Sequence, residues 1–409
     1  MGVHLASTYW SIAQKNNRET TAEGLGWELF KNYLIAKKKF KPDFFLYENN
    51  KSAAQAIKDQ IKHELGVWDG TLLMRDTGAR YIEINSALVS AQNRQRFYVH
   101  NCGEVGQPED RGILLKDILE SGVTDKDKSY CLKHQAGNTR DYFKKHHTQI
   151  AYEPVIIQNA HGFNKGGVKQ GKTPTLTANG KWVYNNPVLT PVELLSVDYK
   201  ACPHCKIVTT PNGFRCESPY GVSAQGYSVS YPFVKNADFN FGKCFSGKSN
   251  HTIRRKDGRS IVKKVYEVKD GLITIKDKQY PIKLPDGFYI IRKLSVTECE
   301  RLQTLPDGYT QHAGVSETQC YKGIGNGWTA EVIIHILSNA LKNVPKDEKI
   351  IVLSMYDGIG TGRYCLDKMG FTNVVYHAYE IDKYAMKIAL SNYPDIIQHG
   401  DAFQVRSEE

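Results

Sequence analysis

The sequence comprises 409 residues, 41% hydrophobic and 24% charged, an ordinary composition for a soluble globular protein of about two or three domains. It contains no apolar run of about 18 residues. Its start, Met1–Leu5, lacks the charged and apolar regions of a signal peptide, so we expect neither a membrane span nor secretion. Nine cysteines without framework spacing exclude a secreted disulfide scaffold and favour a reducing cytoplasm.

The net charge of +11 predicts a polyanionic partner, for which the affinity should fall as the salt concentration rises. Any single basic cluster is better explained as solvated surface, but their sum favours the polyanion. The 24 tyrosines suit stacking on bases, although core packing explains them equally. The basic clusters lie at Lys37–Lys39, Lys144–Lys145, Arg254–Lys256 and Lys263–Lys264.

The first hundred residues alternate between helix and strand patterns, which is typical of an α/β fold. Apolar periodicity predicts amphipathic helices over residues 20–40 and 52–64. Phe44–Tyr47 is a short apolar run that suits a buried parallel strand. Arg80–Ile84 and Arg96–His100 predict two further strands.

From about residue 150 to residue 285 the pattern changes. Helical periodicity fades, and short β-like runs appear, such as Tyr227–Tyr231 and Ile261–Val268. This composition predicts a separate, strand-rich, basic module. After it come two predicted helices and a strand, at Thr297–Leu302, Thr329–Leu341 and Ile350–Ser354.

A glycine loop, Tyr356–Gly362, follows that last strand and should open a helix. Glycines let the backbone approach a ligand closely, and the start of a helix offers N–H groups to an anion. The loop reads G-x-G-x-G, which disfavours a dinucleotide and therefore an NAD-dependent oxidoreductase. A purely structural turn is the alternative. Only 47 residues follow the loop, so a doubly wound sheet must be truncated or have its other half earlier in the chain.

Acidic residues follow two later apolar runs, where successive strands would end. Glu380 lies 20 residues past Gly360, the position at which an acid would grip ribose hydroxyls. Asp401 would end a third strand after Ile396–Gly400. Both carboxylates strengthen the prediction of a nucleotide-type ligand.

Together these segments resemble the conserved motifs of the DNA cytosine-5 methyltransferases. The first motif here follows the tenth, whereas it usually comes first, so the chain resembles a circular permutant. The matching segments are Tyr356–Gly362 for the first motif, Glu380 and Asp401 for the second and third, Glu48–Asn50 for the sixth, Gln92–Arg96 for the eighth, Arg292–Tyr309 for the ninth and Gly325–Thr329 for the tenth.

The resemblance implies a circularly permuted, Rossmann-like, S-adenosylmethionine-dependent methyltransferase sheet of α/β class, with a smaller strand-rich target recognition domain. Its expected parts are a catalytic half over residues 1–150, the target recognition domain with a basic insertion over 151–288, and return helices with the cofactor-binding half over 289–409. The implied partner is double-stranded DNA, bound by a monomer. A cytoplasmic enzyme of bacterial or phage origin, as in restriction-modification, would fit.

The resemblance also implies the residues that bind S-adenosylmethionine. They belong to the glycine loop, the two acidic strand ends and the tenth motif. They are Tyr356, Asp357, Gly358, Ile359, Gly360, Thr361, Gly362, Glu380, Ile381, Asp401, Ala402, Phe403, Asn326, Trp328 and Thr329.

In the implied mechanism a cysteine thiolate adds to C6 of a flipped cytosine, which makes C5 nucleophilic toward the methyl group. Glu48 would hold or protonate N3 of the base. Arg96 and, with less support, Arg94 would bind the base carbonyl or a phosphate. Asn49 would brace the catalytic loop. Taken alone, these charged residues would be ordinary ion-pair members.

The nucleophile position departs from the family. Ala6 and Ser7 stand where the family has Pro-Cys, and no Pro-Cys pair exists in the sequence. A serine hydroxyl is far less acidic than a thiol, so we expect very weak methylation with DNA and cofactor binding retained. A replaced start, a deliberate exchange, or a natural inactive or partner-dependent member would each explain the serine.

Two further questions stay open in the sequence. Cys202 and Cys205 form a C-x-x-C pair that could hold structural zinc with Cys216 and Cys244, against the alternative of ordinary reduced cysteines. The rival functions are an RNA methyltransferase of the same fold and a catalytically inactive DNA-binding homologue or regulatory subunit. The large basic insertion favours DNA over RNA, whereas Ser7 motivates the inactive homologue.

Overall fold

The computed structural model describes the chain in stretches, at residues 9–10, 18–67, 77–132, 150–158, 167–170, 206–210, 213–217, 250–254, 260–275 and 278–406. These residues fall into two units. The first unit is drawn from residues 1–118, 128–137 and 295–409, and the second from residues 119–127 and 138–294. The domain boundaries expected from the sequence stay predictions.

The first unit contains two three-stranded sheets. One is antiparallel, in the order β1-β3-β2, and the other is parallel, in the order β13-β14-β15. The strands are β1 (Leu46–Asn50), β2 (Arg80–Asn85), β3 (Gln95–His100), β13 (Ile350–Met355), β14 (Val374–Tyr379) and β15 (Ile397–Gly400).

Helices connect and cover these strands. Short 3-10 helices occupy Ser86–Leu88 and Ala402–Arg406. The α-helices of this unit are α1 (Leu25–Phe40), α2 (Gln55–Leu65), α3 (Leu115–Ile118), α4 (Val296–Leu302), α5 (Glu317–Asn326), α6 (Ala330–Leu341), α7 (Thr361–Lys368) and α8 (Lys383–Asn392).

Two details differ from the sequence prediction. Helix α1 starts at Leu25 instead of residue 20, because Gly24 has a φ of 85°, outside the helical region. Strand β1 starts at Leu46 and pairs antiparallel with β3, so the expectation of a parallel strand is wrong for the pairing that the structure describes. An apolar run shows that a strand is buried, but it carries no information on the direction of its neighbour.

Alternate side chains of both sheets enter the same two apolar clusters. Leu46 and Tyr98 of the antiparallel sheet share one cluster with Val352 of the parallel sheet and with helix α6. Tyr47 shares the other cluster with Met355 and with helix α1. Since successive side chains of a strand point to opposite faces, the clusters cover opposite faces of both sheets. The two sheets therefore lie between the same pair of apolar layers.

The second unit is built from strands over its described residues. Six of them run in the order β11-β10-β9-β12-β4-β5, β8 pairs with β9, and β6 pairs separately with β7. The strands are β4 (Ile150–Gln158), β5 (Gly167–Gln170), β6 (Lys206–Thr210), β7 (Gly213–Glu217), β8 (Asn250–Arg254), β9 (Ser260–Lys269), β10 (Leu272–Ile275), β11 (Lys278–Pro281) and β12 (Gly287–Lys293).

Every strand pair described in this second unit is antiparallel. The strand predicted over Ile261–Val268 corresponds to β9, whereas Tyr227–Tyr231 lies outside the described residues. Across the described part of the whole chain, no helix combines the length and apolarity that crossing a bilayer requires.

Candidate functional site

A buried ion pair joins Glu48 of β1 to Arg96 of β3, with Oε1 and Nε 2.8 Å apart. The strand register explains the pair, because Glu48 lies opposite Tyr98 and Arg96 lies opposite Asn50. The two charged side chains are thus diagonal neighbours on one face of the sheet. Glu48 is only 1% exposed, so the pair forms away from bulk water.

The surroundings of Glu48 favour its protonated form. Burial raises the pKa of the Glu48 carboxyl, although Arg96 and Arg94 partly oppose that shift. The Trp328 side chain also opposes the shift. A carboxyl whose pKa is raised can serve as a proton donor closer to neutral pH than an ordinary glutamate.

Arg94 binds the turn that follows helix α5. Its Nη2 donates to the carbonyl of Gly327 at 2.8 Å, and its Nη1 donates to that of Gly325 at 3.3 Å. The side chain is 1% exposed. Arg94 therefore holds the segment that contains Asn326 against strand β3, while Arg96 carries the contact to Glu48.

A network of buried polar side chains extends from this turn. Gln303 donates to the carbonyls of Ile324 and Gly327 at 2.8 and 3.1 Å, and its Oε1 accepts from Thr329 at 2.9 Å. Thr329 in turn accepts from Ser86 at 2.9 Å. The predicted cofactor residue Thr329 is 2% exposed and serves this network with its hydroxyl. Gln303 lies within the segment that resembles the ninth motif, but no role was predicted for it from the sequence.

Asn49 points away from the Glu48 pair, as alternation along the strand requires. Its Nδ2 donates to the Tyr47 hydroxyl at 3.0 Å, and its Oδ1 accepts from the Asn50 amide at 2.7 Å. The Asn50 side chain then accepts from the Ser52 amide at 3.1 Å. These bonds fix the turn at the carboxyl end of β1, next to Glu48.

Cys131 lies beside both arginines, although no sequence pattern pointed to it. Its Sγ lies 3.5 Å from Nη1 of Arg94 and 3.8 Å from Nη2 of Arg96. Burial acts to raise the pKa of this thiol, but the charges of both arginines outweigh it, and the pKa is lowered below the ordinary value. Taken as a whole residue, Cys131 is partly exposed.

The glycine loop turns sharply at the carboxyl end of β13. Tyr356, Gly358 and Gly360 have φ values of 59°, 68° and 78°. A Cβ at Gly360 would meet Ala389 at 3.1 Å, whereas a Cβ at Gly358 would meet nothing within 4 Å. Helix α7 begins at Thr361 and continues with Gly362. Gly358 thus faces open space where a ligand could approach the backbone, and Gly360 packs against helix α8.

The side chains that flank these glycines point into the protein. The Tyr356 hydroxyl donates to the Leu29 carbonyl at 3.0 Å. Asp357 is half-buried and accepts from the Tyr376 hydroxyl at 2.7 Å. Burial raises the pKa of Asp357. Ile359 is fully buried in the apolar cluster. A ligand at this loop would therefore meet backbone, not these side chains.

Glu380 holds the loop from the end of β14. Its Oε2 accepts from the Gly358 amide, and its Oε1 accepts from the amides of Ile381 and Asp382, each at 2.8 Å. Burial raises the pKa of Glu380, although these amides partly oppose the shift. The acid predicted to bind ribose thus also fixes Gly358. A carboxylate oxygen has lone pairs for a further donor, so both roles are compatible.

The remaining predicted cofactor residues lie at the ends of β14 and β15. Ile381 is 61% exposed, so its side chain is available to cover an apolar or aromatic group. Asp401 is exposed, and its Oδ1 accepts from the Phe403 amide at 2.9 Å at the start of the 3-10 helix. Phe403 is partly buried and Ala402 is buried. An apolar cover and a hydroxyl acceptor suit the adenosine part of S-adenosylmethionine.

The turn after α5 packs directly on the glycine loop. A Cβ at Gly323 would lie 2.7 Å from Cγ2 of Ile359, and one at Gly327 would lie 3.5 Å from its Cδ1. The Tyr309 hydroxyl donates to the Ile359 carbonyl at 3.0 Å. The segment with Asn326 and Trp328 is consequently tied to the loop on one side and to Arg94 on the other.

The predicted nucleophile, Ser7, lies outside the described residues, as does Ala6. Shortly after it, Trp10 is fully buried, and its Nε1 donates to Oε2 of Glu19 at 2.9 Å. The Glu19 amide donates to the Tyr9 carbonyl at 3.1 Å, which brings the two ends of the intervening segment together. Tyr9, Trp10 and Glu19 therefore lie close together beside helix α1, whose Gly26 amide donates to Oε1 of Glu19 at 3.2 Å.

The predicted zinc ligands are not placed by the described residues. Cys202, Cys205 and Cys244 lie outside them, and for Cys216 only the position in strand β7 is described. Among the described residues, no group of three or more metal-ligating side chains occurs.

Comparison with known proteins gave one family. A family model described as C-5 cytosine-specific DNA methylase matches residues 8–342. That range includes Glu48, Arg94 and Arg96 and ends before the glycine loop. A comparison with curated proteins found no match.

Proposed function

We propose that this chain, which belongs to the C-5 cytosine-specific DNA methylase family, transfers a methyl group from S-adenosylmethionine to C5 of a cytosine flipped out of double-stranded DNA. Family membership implies DNA as substrate and cytosine methyl transfer as the reaction. The observation that carries the finer proposal is the buried Glu48–Arg96 pair, which lies at a strand end beside the turn that packs on the glycine loop.

Glu48 and Arg96 are proposed to hold the flipped base. A Glu48 carboxyl of raised pKa can donate a proton to N3 when a nucleophile adds to C6, which stabilises the negative charge that develops on the ring. The Arg96 guanidinium, oriented by Glu48, offers donors to the base carbonyl or a neighbouring phosphate. Arg94 is proposed as a positioning residue, because its donors are directed to Gly325 and Gly327 as well as to Cys131.

The glycine loop is proposed to bind S-adenosylmethionine, which supplies the methyl group when bound. Gly358 leaves space for close approach, Glu380 provides acceptors for ribose hydroxyls, and exposed Ile381 can cover the adenine. Asn326 and Trp328 belong to the turn that joins this loop to the Glu48 site. The donor set and the open backbone suit a nucleoside ligand.

We further propose that the fold is a circularly permuted, Rossmann-like sheet. Two observations support it. Both three-stranded sheets contribute to the same two apolar clusters, and the tenth-motif turn packs on a glycine loop that follows it in sequence. Helix α6 and strand β13 are joined by residues 342–349 alone, a connection short enough to link neighbouring elements.

The strand-rich second unit is the proposed target recognition domain, which reads bases in the major groove. Its antiparallel strands and the basic clusters at Arg254–Lys256 and Lys263–Lys264 are consistent with binding of a polyanion. A monomer acting on duplex DNA fits this arrangement.

Ser7 is proposed to impair turnover. Near neutral pH, a serine hydroxyl is ionised to a far smaller extent than a cysteine thiol. The test is tritium transfer from S-adenosylmethionine to duplex DNA and, in parallel, to tRNA, by the full chain and by the Ser7→Cys variant. We expect very weak transfer to DNA by the chain itself and a large gain in the variant.

Other results of these assays would assign a different function to the chain. Transfer to tRNA but not to DNA would assign the RNA branch of the fold. Tight DNA binding without transfer by Ser7→Cys, even with candidate partner proteins, would assign a non-catalytic DNA-binding role. A Ser7→Cys protein that binds DNA and cofactor but forms no adduct on 5-fluorocytosine DNA would overturn the assignment of position 7.

A further inference from the structure

Cys131 lies where two buried guanidinium groups converge. Arg94 and Arg96 are 1% and 8% exposed, and each has one Nη atom within hydrogen-bonding distance of Sγ, at 3.5 and 3.8 Å. The Arg96 guanidinium that contacts the sulfur also pairs with Glu48 through its Nε. Two cations and a single carboxylate leave a positive excess in this cluster, which an anionic sulfur at Cys131 would neutralise.

The sulfur has one further polar neighbour in the described structure. When protonated, the thiol can donate to the Leu132 carbonyl at 3.6 Å, and when ionised it accepts from the arginines. Cys131 is partly exposed, whereas the other cysteines whose side chains are described are buried and have raised pKa values. Those buried cysteines are Cys102, Cys299, Cys320 and Cys365.

We infer that Cys131, held between Arg94 and Arg96 next to Glu48, supplies the sulfur nucleophile that attacks the target cytosine in this chain. The inference rests on the proposed function, because it takes Glu48 and Arg96 to be the groups that hold the base. It adds to that function the source of the thiolate: in a chain with Ser7, Cys131 accounts for the weak methyl transfer that we expect.

The step balances with groups already named. The Cys131 sulfur forms a bond to C6, the C5–C6 π electrons move through C4 to N3, and N3 takes the proton of the Glu48 carboxyl. C5 then bonds to the methyl group of the sulfonium donor, whose carbon–sulfur bond breaks. The C5 proton leaves to water, the S–C6 bond breaks, and N3 returns its proton to Glu48. Cys131 is thereby regenerated as a thiolate.

The same contacts explain why this reaction would be slow. A thiolate stabilised by two guanidinium groups is abundant at neutral pH, but its nucleophilicity falls as its pKa falls. Attack therefore requires the sulfur to move out of contact with Arg94 or Arg96. Weak turnover is the expected result, in agreement with the impairment assigned to Ser7.

The test traps the covalent bond. Duplex DNA is synthesised with 5-fluorocytosine at every cytosine, so that any target sequence contains it, and is incubated with the full chain and S-adenosylmethionine. Fluorine at C5 cannot leave as a proton, so the S–C6 bond persists. After protease and nuclease digestion, mass spectrometry of the wild-type protein locates the nucleotide, and we expect it on the peptide that contains Cys131.

A variant pair supports the mapping. Cys131→Ser should reduce adduct formation at least tenfold. Cys320→Ser is the matched control, because its buried sulfur also contacts a carbonyl, that of Thr310 at 3.6 Å, which a serine hydroxyl can still reach. Its adduct yield should equal that of the wild type. Mapping on the unmodified sequence keeps the test valid if Cys131→Ser does not fold.

Other outcomes overturn the inference in distinguishable ways. A nucleotide found on the peptide that contains Ser7, or an adduct undiminished in a folded Cys131→Ser protein, removes Cys131 from the chemistry. Absence of any wild-type adduct, combined with retained DNA binding and an adduct in Ser7→Cys, overturns the inference and leaves the proposed function standing. Absence of DNA binding and of transfer in both proteins overturns the proposed function with it.

Discussion

The Arg94 guanidinium donates to the Gly327 carbonyl at 2.8 Å, although 233 residues separate them in sequence. This bond connects the strand that carries Arg96 to the turn that packs on the glycine loop. The site for the base and the loop proposed for the cofactor are therefore joined by one buried side chain.

Arg94→Lys should destabilise the protein while keeping the charge. A lysine ammonium cannot match the forked contacts to both Gly325 and Gly327, so at least one of these carbonyls loses the donor that Arg94 supplies. We expect a loss of about 1–3 kcal/mol in the free energy of unfolding, measured by urea denaturation. Arg80→Lys is the control, because Arg80 is 38% exposed and pairs with exposed Glu104, and it should change stability by less than about 0.5 kcal/mol. Equal effects of the two variants would contradict the structural role of Arg94.

Because of Glu48, the free energy of unfolding should decrease as the pH rises through the folded-state pKa of this carboxyl. Its pKa is raised by burial, so in the folded state it holds its proton above the ordinary glutamate pKa of about 4.3. The folded state then binds more protons than the unfolded state, and the contribution of Glu48 to stability is lost as the pH rises through its folded pKa. Relative to Glu48→Gln, the wild type should lose unfolding free energy as the pH increases above about 4.3. A pH-independent difference between the two proteins would show that the pKa of Glu48 is unshifted.

The two glycines of the loop separate ligand binding from folding. Gly358→Ala should cost about 1–2 kcal/mol through its positive φ alone, because its Cβ would meet no atom within 4 Å. Gly360→Ala has the same backbone cost and adds a contact of 3.1 Å with Ala389, so it should lose more unfolding free energy than Gly358→Ala. Calorimetric titration with S-adenosylmethionine should show that folded Gly358→Ala has lost most of its affinity. Wild-type affinity in Gly358→Ala would exclude close ligand approach at that position.

Cys131 should react with iodoacetamide at a pH where ordinary thiols do not. Its pKa is lowered by Arg94 and Arg96, so its thiolate persists below the ordinary thiol pKa of about 8.5. Peptide-resolved mass spectrometry should show faster labelling of Cys131 than of Cys102, whose pKa burial raises to about 12. Saturating duplex DNA should slow the labelling of Cys131. Labelling of both cysteines with the same pH profile would argue against a stabilised thiolate.

The sequence predicted several helices and strands of the first unit because their patterns are local, but not helices α3, α5 and α8. Helix α6 was predicted to start at Thr329 and starts at Ala330, with the same last residue, Leu341. Glu48 and Arg96 could be paired only through a family resemblance, since nothing local indicates that β1 and β3 are neighbours. Nothing in the sequence pointed to Cys131, because its significance comes from two guanidinium groups that lie 37 and 35 residues before it in the sequence.

The direction of β1 and the start of α1 could not be obtained from hydrophobic patterns. Strand pairing is a non-local property, and the parallel expectation for β1 rested on burial alone. The start of α1 depends on the backbone conformation of Gly24, which competes with the apolar stripe that begins earlier. In the glycine loop, the sequence predicted the turn but not that Tyr356, Asp357 and Ile359 would point inward.

The two apolar layers shared by the sheets have a consequence for how the protein is made. Each layer needs side chains from residues 45–100 and from residues 352–405, and ribosomes deliver the second group last. A nascent chain that has emerged only as far as helix α6 carries Glu48 and Arg96 but lacks the strands that cover its apolar faces. Neither layer can close before the glycine loop is translated. The growing polypeptide is thus expected to leave both apolar layers open, and to need protection from aggregation, until residues 352–405 have emerged.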